Sequence, residues 1–133
     1  GFKKYDARND DDKTDDLLQS FFLNMWENFS LSDSDKSQAY LDQSLKTEHL
    51  ARQFSLSTVQ LDRRMKRVFR LSTKKFIMKC RLEKASRQLI STEISVSDIA
   101  LACGFTDQSA LTRQFRNAIS DTPANFRKKN QNS

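Results

Sequence analysis

The apolar residues of this chain recur at intervals of three and four positions, the spacing of one face of an α-helix. The first stretch carries six of them: Leu18, Phe21, Phe22, Met25, Trp26 and Phe29. Asp15 or Asp16 is suited to cap a helix there, because a carboxylate accepts from the free N–H groups of a first turn. We therefore predict an acidic disordered tail over 1–14 and, over 15–45, a helix and a polar linker that pack on the domain, the linker docked by Tyr40 and Leu41.

Three further helices are predicted from residue 47 onward. A short one from Thr47 to Phe54 is expected to bury Leu50, Ala51 and Phe54. Ser57 and Gln60 then have the spacing of a capping box, in which each side chain accepts from the backbone N–H of the other residue. The next helix has its apolar stripe at Leu61, Met65, Val68 and Phe69. Ser72 caps a longer helix, about 73–90, whose apolar positions change phase near Leu82: Phe76, Ile77, Cys80, Ala85 and Leu89.

The same signals return after residue 94. Ser95 and Asp98 repeat the capping-box spacing, and Gly104 has the position of a glycine that ends a helix. Thr106 or Asp107 starts the next helix, and Thr122-Pro123 reads as an N-cap followed by proline in the first turn. A disordered C-terminus is expected over 129–133. The side chains predicted to lie inside are Ile99, Ala100, Cys103, Leu111, Phe115, Ala118, Ile119 and Phe126.

These elements repeat at about 50 residues. Six positions match at a separation of 50, namely Leu61, Met65, Val68, Phe69, Ser72 and Phe76 with Leu111, Phe115, Ala118, Ile119, Thr122 and Phe126. Ala51 and Leu56 match Ala100 and Phe105 at 49, so the second turn is one residue longer. Each unit is a helix-turn-helix, whose second helix suits the DNA major groove. The pattern predicts an all-α fold of about seven helices, with two helix-turn-helix subdomains joined by a long linker helix.

Composition excludes several classes of function. The chain has two Gly, and Gly104 is the only internal one. A dinucleotide turn or a phosphate loop needs more than one glycine, and tight hairpins usually need glycine as well. Cys80 and Cys103 occupy apolar helical positions, so we expect buried, reduced thiols. No nucleophile, metal-type cluster or carboxylate pair in an apolar setting stands out, and we expect no cofactor, no metal and no enzymatic activity.

Charge divides the chain into two parts. Residues 1–44 carry five Lys/Arg and ten Asp/Glu, whereas residues 45–133 carry 18 and seven. Clustered positive charge on a compact unit is typical of a protein that binds a polyanion such as DNA. A basic helical module that binds an acidic protein partner is the alternative. The acidic N-terminal stretch is either a solvated tail or a mask for the basic surface.

Several motifs point to a known family. They are Arg81-Leu82 with Ala85 and Leu89, the stretch IALACGF at 99–105, Phe115-Arg116, and Thr122-Pro123 with Phe126-Arg127. Over roughly 46–128 the chain resembles the DNA-binding domain of AraC/XylS-type transcription activators, and LARQFSLSTVQLDRRMKRVF at 50–69 resembles the first helix-turn-helix of that family. The resemblance implies two recognition helices, about 57–69 and 107–118, that enter successive major grooves on one face of the duplex.

The chain departs from the family pattern at three positions. Ser55, Arg70 and Ser120 stand where the family often has glycine. A non-glycine residue at positive φ is uncommon, so these residues bear on turn and cap geometry. The N-terminal helix with its Ser/Asp linker is similar to the segment that precedes such a domain at the C-terminus of hybrid two-component sensors. We therefore expect this chain to be part of a longer sensor or regulator.

The predicted base contacts are the outward positions near the start of each recognition helix. An arginine guanidinium bonds guanine O6 and N7 together, and a glutamine amide matches adenine N6 and N7. Asp62 either accepts from cytosine N4 or pairs with Lys66 one turn on. Val59 either contacts a thymine methyl group or covers the turn. The full set is Thr58, Val59, Asp62 and Arg63 on the first helix and Gln108, Ser109, Thr112 and Arg113 on the second.

Phosphate contacts position a protein on DNA without reading sequence. The residues predicted for this role are Ser57, Lys66, Arg67, Lys74, Lys75 and Arg116. The sequence thus predicts sequence-specific binding of double-stranded DNA by a bacterial transcription regulator in the cytoplasm. RNA polymerase is the expected protein partner, and we expect no membrane contact by this part of the chain.

Overall fold

From Thr47 onward the chain folds into helices that are joined by short turns. The computed structural model describes residues 2–31 and 47–131, and within these ranges it contains seven helices and no strand. The predicted all-α fold is confirmed. The helices are α1 Phe2–Leu31, α2 Thr47–Gln53, α3 Thr58–Phe69, α4 Thr73–Ser91, α5 Val96–Ala102, α6 Gln108–Ile119 and α7 Pro123–Gln131.

The first helix-turn-helix unit, α2 and α3, shares a hydrophobic core with α1 and the first half of α4. Phe22 lies at its centre, fully buried, with ring centroids 5.2 Å from Phe76 and 6.1 Å from Phe69. The apolar stripe predicted for α1 therefore packs on the domain from Leu18 to Trp26, and the side chain of Phe29 lies outside the described residues. The buried members of this core are Leu18, Phe22, Met25, Leu50, Ala51, Leu61, Met65, Phe76, Ile77 and Cys80.

The second unit, α5 and α6, packs on the other half of α4 and on α7. Phe115 is fully buried, and its ring centroid lies 5.2 Å from that of Phe126 in α7. Ala118 and Ile119, predicted to lie inside, are exposed instead, because the buried stripe of α6 ends at Phe115. The buried members are Leu82, Ala85, Leu89, Ile99, Ala100, Cys103, Phe105, Leu111 and Phe115.

The linker helix α4 therefore belongs to both cores. Its residues Phe76, Ile77 and Cys80 lie in the first core, and Leu82 begins the set that lies in the second. Two residues along an α-helix turn it by about 200°, so the two sets face nearly opposite sides. The phase change near Leu82 in the sequence marks the point where α4 passes from one unit to the other.

Side chains of the C-terminal helix α7 donate hydrogen bonds to carbonyl groups at the C-terminal end of α4. The last carbonyls of a helix lack partners within it. Here Arg127 Nε donates to Leu89 O at 3.0 Å, and Gln131 Nε2 donates to Leu89 O at 3.0 Å and to Thr92 O at 2.9 Å. The disordered C-terminus predicted from residue 129 is therefore corrected as far as Gln131, because these bonds order the end of α7.

The N-terminal helix is longer than predicted. It begins at Phe2 rather than near Asp15, and no Gly or Pro interrupts residues 2–31. The predicted disordered tail is therefore corrected from residue 2 onward. Asp15 does not cap a helix, because its carboxylate contacts α3. The polar linker predicted at 30–38 is helical at residues 30 and 31, and the rest of it, with the docking of Tyr40 and Leu41, lies outside the described residues.

The turn inside each unit has the same hydrogen bonds. Leu56 N donates to Ala51 O at 2.9 Å in the first unit, and Phe105 N donates to Ala100 O at 2.9 Å in the second. This 6→1 bond defines a Schellman motif, which needs a left-handed residue just past the helix. That residue is Gly104 at φ 91° in the second unit and Ser55 at φ 57° in the first. The first turn thus keeps its geometry without glycine.

The other two departures from the family pattern also have positive φ. Arg70 ends α3 at φ 63° and Ser120 ends α6 at φ 63°. Their N–H groups donate to the carbonyls of Lys66 and Arg116 at 3.0 Å and 2.9 Å. Both recognition helices therefore end in the same left-handed cap, and the fold does not depend on glycine there.

We expect Ser55→Gly to stabilise the protein, because glycine adopts positive φ without a Cβ clash. The free energy of unfolding should rise by about 0.5–1 kcal/mol in urea denaturation followed by circular dichroism. The control is Ser97→Gly, an exposed site within α5, which should lower stability by about 0.5–1 kcal/mol. A Ser55→Gly variant no more stable than the parent would contradict strain at this turn.

We expect Cys80 and Cys103 to resist alkylation in the native state. Burial raises the pKa of both thiols from 9.0 to about 12. Only about 10⁻⁴ of each is then thiolate at pH 8, and thiolate is the reactive form. Because ionisation is unfavourable only in the folded state, stability should fall as the pH rises above about 9. Iodoacetamide labelling at pH 8 with and without denaturant tests this, and fast native labelling would contradict it.

Candidate nucleic-acid interface

The starts of the two recognition helices are fixed by side-chain caps. At α3, Ser57 Oγ accepts from Gln60 N at 3.1 Å, and Gln60 Oε1 accepts from Ser57 N at 2.9 Å. At α6, Asp107 Oδ1 accepts from Ala110 N at 2.8 Å. The predicted capping box at Ser57 is confirmed, and of the two predicted starts of α6 the cap is Asp107. The two N-caps are 50 residues apart, so α3 and α6 begin at equivalent positions.

The outward face of α3 carries the predicted residues of the first unit. Leu61 and Met65 are fully buried, which directs Arg63 and Lys66 to solvent. Val59 is 65% exposed, so it does not cover the turn. Thr58 is half-buried at the start of the helix. The first unit therefore presents an apolar group, a guanidinium and an ammonium group on one accessible face.

The outward face of α6 carries the predicted residues of the second unit. Gln108, Ser109 and Arg113 are exposed and Thr112 is half-buried. These four side chains line one open cavity of about 660 Å³. Its full lining is Gln108, Ser109, Thr112, Arg113, Arg116 and Asn117. Asn117 was not predicted, although its place one turn beyond Arg113 puts it on the same helix face.

The two faces match position by position. Arg63 and Arg113 are 50 residues apart, and Lys66 and Arg116 are separated by the same interval. All four side chains are exposed. Each unit thus exposes an arginine guanidinium, with its several N–H donors, and a second cationic side chain three residues later. This combination suits a base edge beside a phosphate.

Asp62 has a different partner from either one predicted. Its Oδ1 accepts from the backbone N–H of Thr73 at 3.0 Å, and Thr73 is fully buried at the start of α4. The carboxylate therefore ties α3 to the linker helix. In the second unit the position equivalent to Thr73 is Pro123, which has no N–H, and the position equivalent to Asp62 is Thr112.

Arg67, predicted to contact phosphate, is paired with a carboxylate of α1. Its Nη2 lies 2.7 Å from Asp15 Oδ2, and Arg64 Nη1 lies 3.2 Å from Asp15 Oδ1. Neither pair was predicted from the sequence. The residues are 49 and 52 positions apart, so no local spacing relates them.

The remaining predicted phosphate contacts are accessible. Lys74 and Lys75 are exposed in the first turn of α4, which Ser72 caps by accepting from Lys75 N at 3.3 Å. Among the described residues no group of three His, Cys, Asp or Glu side chains is placed to hold a metal ion. No described helix is long and apolar enough to cross a membrane.

We expect Asp62→Ala to destabilise the fold, because it leaves the buried N–H of Thr73 without an acceptor. The free energy of unfolding should fall by about 1–2 kcal/mol, as for loss of a helix cap. Thr112→Ala is the matched control, since Pro123 presents no N–H to lose, and its effect on stability should be within about 0.5 kcal/mol. Equal losses in the two variants would contradict the capping role of Asp62.

Comparison with known proteins agrees with this geometry. A family model described as a helix-turn-helix domain matches residues 50–129. The HTH-type transcriptional activator RhaS of Pectobacterium atrosepticum is 37% identical over 78 residues, which are 59% of this chain and 28% of RhaS. The chain thus spans less than a third of the length of that curated relative.

Two solved structures share the fold. The C-terminal domain of AraT, a response regulator from Geobacillus stearothermophilus, has a TM-score of 0.69 at 25% identity and covers 85% of this chain and 84% of its own. The DNA-binding domain of the global transcriptional factor AdpA, solved in complex with a target DNA, has a TM-score of 0.65 at 27% identity, with 70% and 84% covered. With two matched helix-turn-helix units and relatives of this kind, the chain belongs to the AraC-type helix-turn-helix family of DNA-binding transcription regulators.

Proposed function

We propose that α3 and α6 enter successive major grooves on one face of a DNA duplex and read its sequence. The observation that carries this proposal is the equivalence of the two helices. They begin at caps 50 residues apart and expose Arg63 and Arg113 at the same position of each. Two equivalent reading helices in one chain match two half-sites that are about one helical turn of DNA apart.

The base contacts are divided by chemistry. Arg63 and Arg113 each bind guanine through a bidentate pair, and Gln108 binds adenine in the same manner. Val59, as an exposed apolar side chain, contacts a thymine methyl group. The hydroxyl groups of Thr58, Ser109 and Thr112, which are on shorter side chains, form hydrogen bonds with base edges. Asp62 is left out of this set because its carboxylate is bonded to Thr73.

Phosphate contacts surround these positions. Lys66 and Arg116 follow the two reading arginines by three residues, and Lys74 and Lys75 lie at the start of α4. The N–H of Ser57 is used by Gln60, so its contribution is the hydroxyl hydrogen. Arg67 is left out of the phosphate contacts because Asp15 binds its guanidinium.

The chain acts as the output part of a longer regulator. Two findings support this: AraT is a response regulator matched through its C-terminal domain, and the chain spans 28% of RhaS, an activator. The signal is then received elsewhere in the longer chain, in the bacterial cytoplasm. Bound DNA places the domain beside the promoter, where RNA polymerase is its protein partner.

Selection from a random duplex library at about 150 mM salt tests this function. We expect a motif with two half-sites about 10 base pairs apart. The selected duplex should bind at least about 10³-fold more tightly than scrambled DNA. Absence of any enriched motif, with binding to all duplexes lost equally as salt rises, would contradict sequence reading. It would favour a basic helical module with an acidic protein partner.

We expect Arg63→Ala and Arg113→Ala each to weaken binding to the selected duplex by about 1–3 kcal/mol and to relax preference at one base pair. The two positions affected should lie in different half-sites. Arg87→Ala is the control, because this exposed arginine is paired with Glu83 on α4, away from the reading faces. Titration against single-base variants of the site measures the effect. Full discrimination retained by both variants would overturn the groove assignment.

A further inference from the structure

One carboxylate of α1 binds two arginines of the first recognition helix. Asp15 Oδ2 accepts from Arg67 Nε at 2.9 Å and lies 2.7 Å from Arg67 Nη2, while Asp15 Oδ1 accepts from Arg64 Nη1 at 3.2 Å. The Asp15 and Arg64 side chains are each 17% exposed, and that of Arg67 is 50% exposed. Arg67 is therefore the member of this cluster that solvent, or a DNA phosphate, can still reach.

Packing fixes Asp15 in this place. Leu18, Phe22 and Met25 follow it on α1 and lie in the first core, each at most 2% exposed. Because those side chains anchor α1 against α3, the carboxylate is held beside the arginines rather than reaching them by chance. A pair held by a rigid backbone loses less side-chain entropy than a flexible surface pair, so it forms more completely.

Among the residues that the structure describes, the second recognition helix has no such cluster. The positions equivalent to Arg64 and Arg67 are Gln114 and Asn117, which carry no charge. The buried residues of α1 lie in the first core. Within the described part of the chain, the extra cations and the acid that binds them therefore occur together, in the first unit.

We propose that Asp15 attenuates DNA binding by the first unit, because its carboxylate competes with a DNA phosphate for the guanidinium of Arg67. The proposal rests on the DNA-binding function proposed above. A phosphate oxygen can take the place of Asp15 Oδ2, which contacts both Nε and Nη2 of Arg67. While Asp15 holds them, Arg67 releases no counterion from the duplex, and the contact contributes nothing to affinity. The effect is independent of base sequence, because phosphate contacts carry no sequence information.

Asp15→Asn tests the competition, since it removes the charge and keeps the shape. Each added phosphate contact steepens the plot of log K against log [salt] by about 0.9, which corresponds to roughly fivefold tighter binding at 0.15 M salt. We expect this gain on both the selected and a scrambled duplex. Thermal unfolding of the same variant should show lower stability, because the two arginines lose their partner. A purely structural role of Asp15 would instead weaken binding and leave the slope unchanged.

Arg67→Ala in both backgrounds completes the test, and its measurement in the parent chain does not require Asp15→Asn to fold. In the parent chain, Arg67→Ala should change the salt slope by less than about 0.3, because the guanidinium is already occupied. In the Asp15→Asn background it should remove the whole gain. A loss of about 0.9 from the slope in the parent chain would overturn the proposal.

The two proposals fail in different ways. If the parent chain prefers no sequence, the reading function fails, while the Asp15 comparison is still decided on scrambled DNA. If the parent reads its site but Asp15→Asn leaves the slope unchanged, the attenuation fails alone. If the parent binds no duplex at all, both are overturned.

Discussion

The linker helix α4 is the element on which the rest of the structure depends. Its first half supplies Phe76, Ile77 and Cys80 to one core, and its second half supplies Leu82, Ala85 and Leu89 to the other. Each helix-turn-helix unit forms its core together with one half of α4. Both recognition helices are therefore positioned by contact with the same rigid rod, whose far end is sealed by Arg127 and Gln131 of α7.

The two units share one backbone design but differ in their supports. Both turns are Schellman motifs, yet Gly104 meets the positive φ without cost and Ser55 does not. The first unit is in turn the one buttressed by α1, whose Phe22 lies among Phe54, Phe69 and Phe76. The added apolar contacts of α1 offset the strained turn. The unit without this buttress keeps the unstrained glycine.

Most of the fold could be predicted from sequence because its signals are local. The caps at Ser57, Ser72 and Ser95, the glycine at 104 and the 50-residue repeat each involve residues within a few positions or a fixed interval. The outward positions of the recognition helices followed from the same periodicity. What could not be predicted are contacts between distant residues, such as Asp15 with Arg64 and Asp62 with Thr73. The exposure of Ala118 and Ile119 was missed likewise, since periodicity cannot tell which apolar positions a neighbouring helix covers.

The bond between Asp62 and Thr73 has a consequence for how sequence preference in such a domain changes over time. Replacing Asp62 by a residue without a side-chain acceptor leaves the buried N–H of Thr73 without this partner. In the second unit Pro123 occupies the site equivalent to Thr73 and has no N–H to satisfy. Replacing Thr112 therefore leaves no such N–H without an acceptor, whereas replacing Asp62 does. The half-site read by α6 has one more position free to diverge between relatives than the half-site read by α3.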